Sequence, residues 1–145
     1  MRLCCSVFGV FLALAQTDTK PPDAQGAVLT VSAKGVQIYG CQGGQWVFQA
    51  PQATLFDESG KEIGTHGAGP IWTLRDGRSV KGQVVAKGDA PSAADIPWLL
   101  LKGDGDFEYI RRWETHGGVA PPGACSAGGS VRIPYSATYT FYSSR

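Results

Sequence analysis

The chain predicts an all-β fold: a single-domain antiparallel β-sandwich or β-barrel with one disulfide. Three observations carry this. Short runs rich in β-branched and aromatic residues follow one another at close spacing, separated by turn chemistry, with no amphipathic stretch of helical length. The last run alternates, with Tyr135, Ala137, Tyr139 and Phe141 on one face and Ser136, Thr138, Thr140 and Tyr142 on the other, which is the period of a strand with one buried side. Two cysteines, Cys41 and Cys125, remain once the opening segment is set aside, and they define one bridge.

That opening segment, residues 1–15, reads as a signal peptide. Arg2 supplies a thin positive end, Leu3 to Leu14 an apolar run, and Ala13-Leu14-Ala15 the small-x-small pattern ahead of Gln16. The run is shorter than the roughly 20 apolar residues a bilayer-spanning helix needs, so export into a secreted or periplasmic location is expected rather than a membrane span. Cys4 and Cys5 precede most of the apolar run, unlike a lipid-acceptor cysteine, and leave with the segment. In an oxidising compartment Cys41 and Cys125 then pair. The bridge closes a loop of roughly 85 residues, for which chain entropy gives about 4 to 5 kcal/mol. The alternative, a redox-active pair, ordinarily uses Cys-x-x-Cys, which this spacing is not.

Residues 16–26 are polar, include Pro21-Pro22 and predict an extended linker, leaving 27–145 as the domain. Within it the β-prone runs are Ala27 to Ala33, Val36 to Cys41, Gln45 to Gln49, Ala53 to Phe56, Glu62 to His66, Ile71 to Arg75, Ser79 to Lys87, Trp98 to Lys102, Phe107 to Thr115 and Val131 to Tyr142. Asp57-Glu58-Ser59-Gly60 and Asp76-Gly77 predict tight hairpins, since Asp-Gly tolerates positive φ. One helical turn at most is expected, over Ala90 to Asp95, with Pro97 stopping anything longer. In the run from Phe107 neither face is clean, because Arg111 and Trp113 alternate with Ile110 and Arg112.

Charge excludes some partners. There are 13 Lys+Arg against 12 Asp+Glu, and loss of Arg2 leaves the signs balanced. Arg111-Arg112 is a solitary basic doublet with no basic stripe around it, so nucleic acid is not expected as a partner. Asparagine is absent, so no N-glycosylation acceptor exists.

One block is more specific: Gly64-x-His66-x-x-Gly69-Pro70-x-Trp72-x-x-x-Asp76-Gly77-x-x-Val80. Around it stand Gln37-Ile38-Tyr39-x-Cys41, Trp46-x-Phe48-x-x-Pro51-x-Ala53-x-Leu55, Ile96-Pro97-Trp98-Leu99-Leu100, Thr115-x-Gly117-Gly118-x-Ala120-Pro121, Cys125 and Pro134-Tyr135-x-Ala137-x-Tyr139-x-Phe141. Together they resemble the uncharacterised secreted family known as domain of unknown function three-four-five-five, over nearly the whole mature chain. The resemblance implies an exported all-β domain and brings no activity with it. Gly67-Ala68-Gly69 is no dinucleotide fingerprint, because the third glycine and the following helix are missing.

The candidate binding residues are His66, Trp72, Asp76 and Trp113. His66 ends a run among Gly64, Gly67 and Gly69, where backbone can approach a ligand, and a neutral imidazole there can act as base or ligand with Asp76 orienting it across a hairpin. The plainer alternative is that His66 and Asp76 only satisfy turn backbone. Trp72 and Trp113, near Arg75 and Arg111, are candidates for stacking a sugar or small ligand, whereas Trp46 and Trp98, inside apolar runs, are expected in the core. A metal set of His66, His116 and a carboxylate can be drawn, but no His-x-His or His-x-x-x-His pair demands it, and no metal or other cofactor is expected. Asp104-Gly105-Asp106-Phe107-Glu108 lacks the glycine and the closing glutamate of a calcium loop. No Gly-x-Ser-x-Gly elbow is present. The expected function is therefore a secreted or periplasmic, non-catalytic module that binds a small ligand, a glycan or an extracellular protein. The rival is a hydrolase-like or metal-dependent enzyme using His66 with Asp76.

Overall fold

Glycine and proline punctuate this chain at Gly35 and Pro51, and both positions predict breaks between strands. In the computed structural model, which describes residues 18–145, strands run straight through both. The signal peptide expected over residues 1–15, with Arg2, Cys4 and Cys5, lies outside the described residues. Among those described there are eight strands: β1 (Gln25–Gln42), β2 (Gln45–Phe56), β3 (Glu62–Gly67), β4 (Ile71–Leu74), β5 (Ser79–Gly88), β6 (Trp98–Gly105), β7 (Tyr109–Gly117) and β8 (Ser130–Ser144). The first four predicted runs fuse into two long strands. At Gly35 the reason is steric, since a Cβ there would collide with the Gln52 carbonyl oxygen and the Ala53 Cα where β2 crosses closely. Beside Pro51, β2 carries a bulge at Gln49, a place where a strand tolerates a residue without an N–H.

Each strand pairs antiparallel with its successor, and β8 returns to pair with β1, so the sheet is a closed up-and-down barrel. This decides between the two predicted architectures. The closing ladder runs from Gln25 opposite Ser144 to Gly40 opposite Ser130, long enough to leave neither edge open. Both predicted hairpins form. Asp57 Oδ1 accepts from the Ser59 and Lys61 backbone N–H groups and from the Ser59 hydroxyl, with Gly60 at φ 84°. Gly77, at φ 96°, closes the β4–β5 turn. The single helical turn expected over Ala90 to Asp95 is not helical: Pro91 and Pro97 leave only a turn closed by the Asp95 N–H on the Ser92 carbonyl.

The two ends of the barrel differ. Toward the β2–β3, β4–β5 and β6–β7 turns the interior is filled by Val31, Leu55, Leu74, Val80, Phe107, Ile110 and Phe141. Toward the β1–β2, β3–β4, β5–β6 and β7–β8 connections it is lined by larger and more polar groups, among them Gln37, Tyr39, His66 and Tyr135. A disulfide between Cys41 and Cys125, Cα atoms 5.8 Å apart, fastens the β7–β8 connection to the end of β1 at this second end. Two backbone bonds flank it, Cys41 N–H to Gly129 O and Cys125 N–H to Gly44 O.

Candidate functional site

Strand parity decides which side chains meet. His66 on β3 pairs directly with Trp72 on β4, so both point into the barrel. Their rings stack with centroids 4.2 Å apart and planes 14° from parallel. Tyr139 of β8 closes on both, its ring 5.1 Å from His66 and 5.4 Å from Trp72. The Tyr139 hydroxyl is 3.1 Å from that of Tyr135. Gly82 of β5 makes room for the indole, because a Cβ there would lie 2.9 Å from Trp72 Cζ3 and from Leu101 Cδ2.

These groups border a cavity of about 100 Å³ in which every strand takes part. Its walls are Gln37 of β1, Phe48 and Pro51 of β2, His66, Pro70, Trp72, Val84 of β5, Leu99 and Leu101 of β6, Arg112 of β7 and Tyr139. Phe48 and Val84 are half exposed, at 51% and 50%, and form an apolar rim. Inside, polar groups are left without partners: Trp72 Nε1 and Gln37 Oε1 are buried with no hydrogen bond, in residues only 1% and 2% exposed. Arg112 enters from β7, with Nε and Nη2 donating to the Pro97 carbonyl at 3.0 and 2.8 Å.

The electrostatics follow from burial. Desolvation lowers the His66 pKa from 6.5 to about 4, with the Arg112 charge pushing the same way, while the bond to Ile71 works against them. His66 is therefore neutral near pH 7. Its Nδ1 lies 3.0 Å from the Ile71 carbonyl, which can only accept, so Nδ1 carries the proton and Nε2 is left as an acceptor. Burial raises the pKa of Tyr39, Tyr135 and Tyr139, and the Arg112 charge opposes that rise at each.

The four candidate residues divide. His66 and Trp72 share the cavity. Asp76 sits in the exposed β4–β5 turn, where Oδ1 accepts from the Arg78 backbone N–H and Oδ2 from its guanidinium, and these bonds hold its pKa below the usual carboxylate range. Ile71 O, not Asp76, partners the imidazole. Trp113 faces the outer wall of β7, where Nε1 donates to Thr140 Oγ1 at 3.0 Å. Arg111 lies over the rings of Trp113 and Trp98, 4.8 and 5.4 Å from their centroids, and occupies the face a sugar would use. The core placement expected for Trp46 and Trp98 is not found: Trp98 packs edge-on against Trp113 outside the barrel, because inward parity on β6 belongs to Leu99 and Leu101, and Trp46, near the start of β2, is only partly buried.

Upstream of β1, Thr19 is buried at 3% and accepts from Arg111 Nε. With Asp18, Asp89, Pro91 and Trp98 it lines a second, more open hollow of about 460 Å³ on the outer wall. His116 is exposed on β7 and takes no part in the cavity. Among the described residues no group of three or more His, Cys, Asp or Glu is placed to hold a metal ion. Asp106 and Glu108, from the stretch compared with a calcium loop, bind protein groups instead: Asp106 accepts from Ser79 N–H, and Glu108 from Gln25 and Ser144. Sequence reading missed Gln37, Arg112 and Tyr139 as site residues. The signal for Arg112 was present, since it shares strand parity with the apolar Ile110.

Among the described residues no helix is long and apolar enough to cross a membrane. A model of a family described as a protein of unknown function, DUF3455, matches residues 21–143. No match is found among curated proteins or among solved structures.

Proposed function

We propose, for a chain that belongs to the DUF3455 family of proteins of unknown function, that it is an exported, disulfide-stapled β-barrel binding a small ligand at the His66–Trp72 end without transforming it. The observation that carries this reading is the cavity itself, where Trp72 Nε1 and Gln37 Oε1 are buried and unpaired within one enclosed space, whereas Gln25 Oε1 and Trp98 Nε1, also unpaired, lie apart from it and from each other. Each such group is destabilising unless something supplies its missing bond. About 100 Å³ is smaller than the pockets that enclose whole metabolites. The cavity therefore takes one end of a ligand, and the exposed Phe48 and Val84 rim meets the remainder. A catalytic role for His66 has weaker support, because a pKa lowered to about 4 makes a weak base and Asp76 is engaged elsewhere. Export is supported by the Cys41–Cys125 bridge and by the apolar opening of the chain.

The reading is tested by nuclear magnetic resonance of the disulfide-bonded protein against a library of small fragments. Saturable shifts at the Trp72 indole N–H and at the His66 ring are expected. If shifts collect only on the outer wall at Trp98 and Trp113, the assignment of the site fails. N-terminal sequencing of secreted material is expected to begin at Gln16.

A further inference from the structure

Among the described residues the cavity lining holds one formal charge, Arg112, and no carboxylate. Among the described residues the ion pairs are Arg75 with Glu62 and Arg78 with Asp76, both exposed, and Arg112 takes part in neither. Its bonds from Nε and Nη2 run to a neutral carbonyl, Pro97 O, and its remaining neighbour within hydrogen-bonding reach is the Tyr139 hydroxyl, so the guanidinium meets only neutral partners in the cavity wall. A half-buried cation sharing a cavity wall with Leu99, Leu101, Pro51 and aromatic rings attracts an anion more strongly than one in water does. A second observation stands independently: the Trp72 Nε1–H, in a residue 1% exposed on the same cavity, is a donor without an acceptor. An indole N–H only donates, and a guanidinium only donates. Gln37 Oε1 and His66 Nε2 are acceptors on the same wall, but the one formal charge belongs to the donors, and two kinds of donor in a space of about 100 Å³ fit a compact planar acceptor carrying a single negative charge.

Resting on the reading of this cavity as a ligand site, we propose that the end group it takes is a carboxylate borne on an apolar body. The carboxylate lies against Arg112 and the Trp72 N–H, and the body leaves past Phe48 and Val84. A dianionic phosphate is disfavoured because one cation faces it, and a neutral alcohol or amide leaves the guanidinium without a counter-charge.

The test titrates the disulfide-bonded protein with phenylacetate, 4-phenylbutyrate and octanoate, each against its primary amide, following the Trp72 indole resonance. At least one acid is expected to bind tenfold or more tighter than its amide. Arg112→Gln is expected to abolish that preference, and Arg112→Lys, which keeps the charge, to retain part of it, with near-ultraviolet circular dichroism reporting that each variant is folded. Acid and amide binding equally at the cavity would overturn the carboxylate assignment while the ligand site stands. No shift at Trp72 or His66 from any acid or amide at millimolar concentration would overturn both.

Discussion

His66 shows how a single burial sets behaviour. Because its folded pKa, about 4, lies below the ordinary 6.5, the unfolded chain binds the extra proton first as pH falls. Its contribution is whole above pH 6.5 and is lost as pH descends toward 4. Between pH 7.5 and 4.5 the loss amounts to about 2.5 kcal/mol. Urea denaturation at the two pH values is expected to show this loss in the wild type and not in His66→Phe, whose ring can still stack on Trp72. Equal losses in both proteins would remove His66 from the account. Asp76→Asn is expected to leave ligand shifts at Trp72 unchanged, since that carboxylate serves only Arg78 and its turn. The sequence makes His66 and Trp72 visible through their glycine-flanked block. It misleads on Asp76 and Trp113 because nearness along a chain says nothing of face: Asp76 falls past the end of β4, and Trp113 is out of phase with Ile110 and Arg112.

At the scale of strands, two glycines carry the barrel's shape. Gly82→Ala is expected to cost about 1 to 3 kcal/mol by pressing on Trp72 and Leu101, and to weaken ligand shifts by moving the indole. Thermal denaturation and the same resonance experiment check both halves. Gly35→Ala is expected to be the more damaging substitution, because its added methyl meets the backbone of Gln52 and Ala53, which cannot swing aside as a side chain can. These positions also mark where strand prediction runs out. Hairpins at Asp57–Gly60 and Asp76-Gly77 are local chemistry and legible, as is the alternation in β8. Whether a glycine ends a strand or lets another strand cross it depends on partners distant in sequence, as Gly35 lies between Ala53 and Tyr135.

For the molecule as a whole, the Cys41–Cys125 bridge closes a separation of 84 residues and anchors a β7–β8 connection, residues 118–129, with little apolar content of its own. Cys41→Ser is expected to lower unfolding free energy by about 4 kcal/mol, measured by urea denaturation. An effect below about 1 kcal/mol would mean that the connection is held by other contacts, such as the Tyr39 hydroxyl on Gly118 O. The seam between β1 and β8 has a temporal consequence as well. Its rungs join Gln25 to Ser144 and Gly40 to Ser130, so the opening strand of the chain waits for the closing one. A polypeptide still emerging from a ribosome or threading through a translocon holds an unfinished ribbon until β8 arrives. Completion is then a late, slow, all-at-once event governed by the longest-range pairing in the molecule, and loss of β8 would leave an open cylinder whose bare margin invites a neighbour.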